Sequence, residues 1–462
     1  MNPRSSLPRP AARYSLLGLL VLIACSTPDA PSPADGAPGG APAAADAPPV
    51  PVEIREDGGR YQLYVDGEPF FIEGAGLEFG SVERLAARGG NSFRTWRTDN
   101  SRDTGQEVLD RAYANGLYVT MGLEIARERE GEGRGVFGFD YDDEEAVAEQ
   151  LERVRAEVMA LKDHPALIIW GIGNELNLGA TNPAVWDAVN EISEMIHEVD
   201  PNHLTTTMLA GISADLVDEI EARAPDLDLL SIQMYADIEN LPQRIEDAGW
   251  DGPYMVTEWG ATGHWETDST AWGAPIENTS SVKADLYRAR YETAILSDTT
   301  QLLGSYVFLW GQKQERTPTW YGMFMPTGEK TESVDVMQYL WTDEWPENRA
   351  PRVEQPTLDG QTATDDVRLQ PGQTATAEIA ATDPEGDALR YEWEVREESR
   401  AQTEGGDDED VPALVEGAVS PADAAQITVT APTEPGAYRL FVNVYDGQNS
   451  AAHANIPFYV EG

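Results

Sequence analysis

Two glutamates stand out for what precedes them. Glu175 closes Trp170-Gly171-Ile172-Gly173-Asn174-Glu175, directly after the apolar run 167–172. Glu258 sits in Met255-Val256-Thr257-Glu258-Trp259-Gly260, after a second such run. An acid at the end of a continuous apolar run is held at the lip of a buried strand. Two acids so placed can divide a reaction between them. One, kept neutral, gives its proton to a leaving oxygen; the other, ionised, attacks carbon. Displacement at an acetal carbon with retained configuration needs the two carboxyls about 5–5.5 Å apart. Metal chemistry has no comparable centre. The five histidines (His164, His197, His203, His264, His453) lack ligand spacing, and the lone cysteine, Cys25, precludes an internal disulfide or a thiolate zinc site. No cofactor is expected.

The elements around these acids repeat. Eight strand-like runs fall at 71–75, 92–96, 118–123, 167–172, 204–209, 229–234, 254–257 and 305–309. Most are apolar throughout rather than alternating, as in parallel strands buried on both faces. Amphipathic helices lie between them. Asp142 and Asp143 cap one with Val147, Leu151, Val154, Val158 and Leu161 on one face. Asn182-Pro183 opens another, with Val185, Val189, Ile192, Ile196 and Val199. Ser213 starts a third, and Gly116 stops an earlier one. Residues 53–70 read as a hairpin turning at Asp66-Gly67. Eight such units over 53–345 predict an α/β fold, a (β/α)8 TIM barrel, whose site lies at the C-terminal strand ends. A doubly wound sheet is the alternative, but no Gly-rich phosphate loop follows the first strand. Glu175 then ends the fourth strand and Glu258 the seventh.

HPALIIWGIGNE (164–175) followed by VTEWG (256–260) is similar to the retaining glycoside hydrolases of clan A. The nearest are the family 2 barrel domain and family 5-like enzymes. This resemblance implies Glu175 as acid/base, Glu258 as nucleophile and Asn174 on the sugar 2-hydroxyl. It further implies Arg94 and Tyr235 as supports of the nucleophile, and Trp310 as a platform under the reacting sugar. With Arg94 and the Tyr235 hydroxyl beside it the nucleophile stays ionised, while an acid without a cation partner keeps its proton. Trp96, Trp259, Trp265, Trp272, Trp320 and Tyr321 fall on the same rim loops, where indole faces can stack on sugar rings. Glu78, Asp99, Glu124, His264, Gln312, Lys313 and Glu315 are candidate hydroxyl binders. Each assignment has a structural rival: a helix cap for Asn174-Glu175, an ion pair for Arg94 and Glu258, plain packing for Tyr235, Trp310 and part of the rim. The expected partner is a carbohydrate, a neutral oligo- or polysaccharide, with a β-glucan or mannan as the resemblance's guess. A transglycosylase with the same site and a non-catalytic glycan-binding lipoprotein are the alternatives.

The chain's 462 residues carry 81 acidic against 32 basic groups, a formal charge of −49. Such a field repels nucleic acid and anionic lipid, so neither is an expected partner. Residues 1–24 read as a signal peptide, with Arg4, Arg9 and Arg13 before a short apolar run. That run ends in Leu22-Ile23-Ala24-Cys25, which resembles a bacterial lipoprotein box with Cys25 as the lipidated residue. Ser26 in place of Asp at the next position implies the outer membrane of the cell envelope. The Pro/Ala-rich stretch 25–52 reads as a tether. Beyond a boundary near 345–350 the helical period vanishes, and alternating runs over 350–462 predict a small all-β, Ig-like sandwich. Its Asp383-Pro384-Glu385-Gly386-Asp387 and Val444-Tyr445-Asp446-Gly447 resemble polycystic-kidney-disease-type and cadherin-like repeats. Asp383, Glu385, Asp387 and Asp446 are weak calcium candidates, with turn capping as the rival reading. The module reads as a spacer or a carbohydrate-contacting accessory. Only four of the basic residues are lysine. This acidic, lysine-poor balance is that of proteins from salt-loving organisms, in which salt screens self-repulsion. The melting temperature is therefore expected to rise with NaCl toward molar concentrations; a flat or falling curve in a thermal scan would reject the reading.

Overall fold

The computed structural model describes residues 47–130, 135–401 and 409–462. The expected leader, Cys25 and most of the tether lie outside the described residues. Among the described residues no helix is long and apolar enough to cross a membrane.

Three short strands come first: β1 (Val52–Asp57), β2 (Arg60–Val65) and β3 (Glu68–Phe70). They form an antiparallel meander rather than the single expected hairpin, because Gly58 and Gly59, both at positive φ, make a turn ahead of Asp66-Gly67. Eight parallel strands follow and close on themselves: β4 (Ile72–Gly76), β5 (Ser92–Arg94), β6 (Tyr118–Leu123), β7 (Leu167–Asn174), β8 (Leu204–Ala210), β9 (Leu229–Gln233), β10 (Tyr254–Gly260) and β11 (Leu302–Phe308). Sequence neighbours pair throughout, and β11 pairs with β4 to complete the barrel. All residues of β10 and β11 are buried, as continuous apolar runs require. The meander plugs the N-terminal end of the barrel. Its Leu63 and Val65 pack on Ile72, Ile168, Leu229 and Leu303, each at or near the start of a barrel strand.

The helices follow their sequence signals. Asp143 caps Glu144–Leu161 through Glu145 and Ala146, and Val154 and Val158 are fully buried. The Asn182 carboxamide accepts from Ala184 at the head of Ala184–Val199. Ser213 caps Ala214–Arg223. Gly116 takes a φ of +69° just past Gly105–Ala114, where a side chain would be strained.

After helix Glu332–Thr342 the chain builds a two-sheet sandwich around its own core, which includes Trp393, Val395, Val429, Leu440, Val442, Ile456 and Phe458. It is docked on the barrel rather than set apart as a spacer. The Ala451 amide donates to Lys330 O (2.9 Å), and Arg439 reaches Pro275 O (2.8 Å). Deeper in, Glu277 accepts from Lys283 Nζ (2.5 Å), Thr317 Oγ1 (2.6 Å), Thr319 Oγ1 (2.9 Å) and Asn455 Nδ2 (2.6 Å). Burial pushes this carboxyl up, but Lys283, the neighbouring His453 and the hydroxyls bring it down to about 2. One buried acid thus ties the loops after β10 and β11 to the sandwich.

A second charged clamp secures the barrel. His197, in the last turn of Ala184–Val199, meets Asp226 Oδ2 at 2.8 Å and Asp228 Oδ2 at 2.9 Å. Asp228 also accepts the amide of Thr205 in β8 (2.7 Å). These bonds, Asp228 foremost, raise the imidazole to about 9. A raised folded value means stabilisation that is complete below the unfolded value of about 6.5 and lost as pH rises through about 9. After discounting for solvent screening it is worth about 1–2 kcal/mol. His197→Gln should lower the melting temperature at pH 6, and the gap to wild type should close by pH 10. A gap that does not change with pH would show that the imidazolium contributes nothing.

Candidate active site

Both glutamates stand at irregularities of the barrel. The β7–β8 register shifts between Gly171 and Asn174, and the β9–β10 register between Val256 and Glu258. Such bulges re-aim side chains at a barrel rim. At the end of β7 the backbone takes φ +76° at Gly173 and +53° at Glu175, and the Glu175 amide donates to Met208 O (2.8 Å). A non-glycine residue in the left-handed region is strained by about 1 kcal/mol or more, and such strain clusters at functional sites. It turns Glu175 out of the strand and into the mouth.

Donors surround Glu258. Trp96 Nε1 bonds Oε1 at 2.9 Å, the Tyr235 hydroxyl bonds Oε2 at 2.9 Å, and Arg94 Nη2 lies 3.2 Å from Oε1. Burial pushes the Tyr235 phenol well above its usual range, so it remains a donor. Each of these partners donates, so both Glu258 oxygens serve as acceptors and are held in place.

Arg94 is fully buried at the end of β5. It also donates to Asn174 Oδ1 (2.8 Å) and Thr257 O (3.3 Å). Gln233 Nε2 supplies a second donor to the same Asn174 oxygen (2.8 Å). Two donors on Oδ1 fix the Asn174 amide, so Nδ2 is its free donor. Glu175 differs from Glu258 in kind. Burial raises it to about 7, nearby Glu258 adds to this, and Arg127, Arg94 and Arg129 oppose it. One carboxyl poised to hold a proton beside one ringed by donors is the division that acid-assisted displacement requires.

Glu258, Glu175, Asn174, Trp96, Tyr235 and Gln233 line a cleft of about 1030 Å³ at the C-terminal end of the barrel, with Arg94 buried behind them. Trp96, Trp265, Glu78, Glu124, His264, Gln312, Lys313 and Glu315 border it as expected. Several are engaged: Arg97 meets Glu78 (3.2 Å) and Glu124 (3.5 Å), and Lys313 meets Glu315 (2.5 Å). Other expectations are corrected. Trp310 touches the cleft wall, but its indole is fully buried against Phe324 and Trp341 and bonds Ser81 O (3.2 Å), so it offers no face to a sugar. Trp259 points away from the mouth and packs on Tyr287 and Tyr291, because strand alternation sends it opposite to Glu258. Trp320 is buried, Trp272 lies against Tyr459 of the sandwich, and Asp99 accepts the Gly105 amide at a helix start.

Sequence reasoning missed Gln233, Phe308 and Arg127. Gln233 lies two residues before Tyr235, and that same-face spacing is the signal that would have found it. Phe308 meets Trp96, Tyr235 and Tyr321 edge-on beside the nucleophile. Arg127 bonds Asn174 O (3.2 Å) from a loop with no motif. In the sandwich, carboxylate oxygens of Asp383, Asp387 and Asp446 come within 4.8 Å of one another. Asp383 and Asp446 also close their own turns, accepting from Glu385, Asp387, Gln448 and Ser450 amides.

Tyr235→Phe removes one of the three donors on Glu258 without changing the ring. It should cost about 10²-fold in kcat with little change in melting temperature. Unchanged kcat would mean that the hydroxyl does not serve the reaction.

Among curated proteins none matches this chain. Solved structures do. Bacteroides uniformis beta-glucuronidase 2, bound covalently to cyclophellitol-6-carboxylate aziridine, aligns at 12% identity over 88% of this chain and 48% of its own, with TM-score 0.48. Bifidobacterium dentium beta-glucuronidase, complexed with coumarin-3-O-glucuronide, aligns at 18% identity over 63% and 49%, with TM-score 0.48. Faecalibacterium prausnitzii beta-glucuronidase aligns at 16% over 63% and 52%, again with TM-score 0.48. The chain spans about half the length of these proteins. Residues 87–265, with Glu175 and Glu258 among them, match the family model described as Glycosyl hydrolases family 2, TIM barrel domain.

Proposed function

We propose that the chain is a retaining O-glycoside hydrolase acting on neutral β-linked oligo- or polysaccharides, a β-glucan or a mannan first among them. The observation that carries this is the asymmetry of the two acids. Trp96, Tyr235 and Arg94 all donate to Glu258, whereas burial raises Glu175 to about 7. Glu258 attacks the anomeric carbon and forms a glycosyl ester as Glu175 protonates the departing oxygen. Glu175, now a carboxylate, then takes a proton from water, which attacks the same carbon and frees Glu258. The fixed Nδ2 of Asn174 donates to the neighbouring sugar hydroxyl, a bond that tightens as charge builds on the ring. A neutral substrate fits a cleft whose Arg97 and Lys313 are already matched by carboxylates. The same proposal places the enzyme on the outer membrane through a lipid on Cys25, with residues 26–52 as the reach between anchor and barrel.

The test is a panel of β-glucans, mannans and aryl glycosides in molar NaCl, with wild type, Glu258→Ala and Glu175→Gln side by side. Wild type should release sugar with retained configuration, and Glu258→Ala should fall to background while still folded by circular dichroism, its melting temperature lowered because buried Arg94 loses its carboxylate partner. Activity should be lost as pH rises through about 7, where Glu175 gives up its proton, and Glu175→Gln should lose most activity on unactivated glycosides. Products longer than the substrate would mean transfer in place of hydrolysis. Glycan binding without any product from wild type would reject the enzyme.

A further inference from the structure

Resting on that reading, we infer that Asn455 of the sandwich and Tyr321 of the barrel are positioning residues for the reaction: through Glu277 and the segment 317–321 they set where the Tyr235 hydroxyl meets Glu258. Tyr235 follows the end of β9, so its ring is placed by what packs on it rather than by a strand. Tyr321 meets it edge-on at 5.5 Å and Phe308 at 6.0 Å. Tyr321 and Phe308 also meet each other, at 5.7 Å, so the three rings form one cluster. Tyr321 is only 2% exposed, so its ring serves Tyr235 rather than a sugar.

Tyr321 is held in turn. Its hydroxyl accepts the His264 amide (3.2 Å), and its carbonyl accepts the Leu309 amide (3.3 Å). Just ahead of it, Trp320 Nε1 donates to Thr262 O (2.9 Å). Lys283 Nζ donates to Thr319 O (2.7 Å), and the hydroxyls of Thr317 and Thr319 both donate to Glu277. The stretch 317–321 is thus fixed at one end by a buried carboxylate. At the other it presses on the ring that donates to the nucleophile.

Glu277 is fixed from the sandwich. Asn455 Nδ2 donates to its Oε2 (2.6 Å), while Asn455 Oδ1 accepts from buried Arg439 (2.7 Å), so the amide cannot turn. Two residues earlier on the same strand, the His453 amide donates to Ser280 Oγ (3.0 Å), at the head of the helix that carries Lys283. Glu277, Lys283, Asn455 and Arg439 are all buried, where solvent does not replace a lost partner. A close-packed interior passes a shift at Glu277 along the stretch instead of absorbing it. The Tyr235–Glu258 bond (2.9 Å) lies at the far end of these contacts. A misplacement of about 1 Å at such a bond can cost about 10²-fold in rate.

A double-mutant cycle on the full-length protein tests this, with kcat read on the aryl glycoside that wild type cleaves fastest. Asn455→Leu should lower kcat about tenfold, and the milder Thr319→Val about threefold, with KM moving less. In a Tyr235→Phe background both losses should shrink below about twofold, because the hydroxyl being positioned is gone. Val429→Ala, in the sheet of the sandwich that lacks Asn455, should lower the melting temperature and leave kcat unchanged. Unchanged kcat in both variants, equal losses with and without the Tyr235 hydroxyl, or a matching loss in Val429→Ala would overturn the inference. Hydrogen exchange separates it from the reading it rests on. In Asn455→Leu the amides of 262–266 and 317–323 should exchange faster while those of β6 do not. Wild type that cleaves nothing would remove the hydrolase; the local speeding would then leave the positioning contacts standing, and unchanged exchange would remove them as well.

Discussion

A guanidinium sealed inside a barrel is the constraint around which the mouth is organised. Arg94 is fully buried, and an unpaired buried charge would cost several kcal/mol, roughly 3–5 when a partner is removed. The barrel answers with Glu258, the Asn174 carboxamide and Thr257 O, contributed by β7 and β10. Both strands bulge where these groups leave the ladder. The charge that needs neutralising therefore fixes the position of one carboxylate and the orientation of the amide next to the other acid. Gln233 completes the arrangement, since its donation leaves the Asn174 oxygen no freedom to turn toward the cleft.

The supports of this centre come from unequal distances in the chain. The N-terminal meander closes the far end of the barrel with apolar side chains and contributes no polar group to the cleft. The sandwich works on the near side. Through Asn455 and Arg439 it grips the loop after β10, and through Glu277 the loop after β11. These loops carry His264, Trp265, Gln314 and Glu315 to the rim. The sandwich thus determines how firmly the walls of the cleft are held.

Much of this was legible in the residues, and the divisions are physical. Strand positions could be read because parallel strands buried on both faces leave continuous apolar runs, and helix starts because Asp143 and Ser213 cap them. The two glutamates, Arg94, Asn174 and Tyr235 could be placed because strand ends in a closed barrel converge. Trp259 and Trp310 misled for a common reason. A tryptophan near a strand end reads the same from sequence whether it faces the mouth or the helices, and here both face packing. The docking of the sandwich was illegible because it rests on single buried polar residues, Glu277 and Asn455, far apart in sequence and without a motif.

The bond from Asn455 to Glu277 spans 178 residues of chain. As the polypeptide is made from its N-terminus, the barrel strands and both glutamates emerge well before Ala451–Val460. Until that strand arrives, Glu277 and Lys283 have no Asn455 above them, and the loops they anchor lack their outer support. The cleft is thus finished by the sandwich and not by the domain that contains it, so a barrel cut loose from its sandwich would keep its acids and lose the support of its walls.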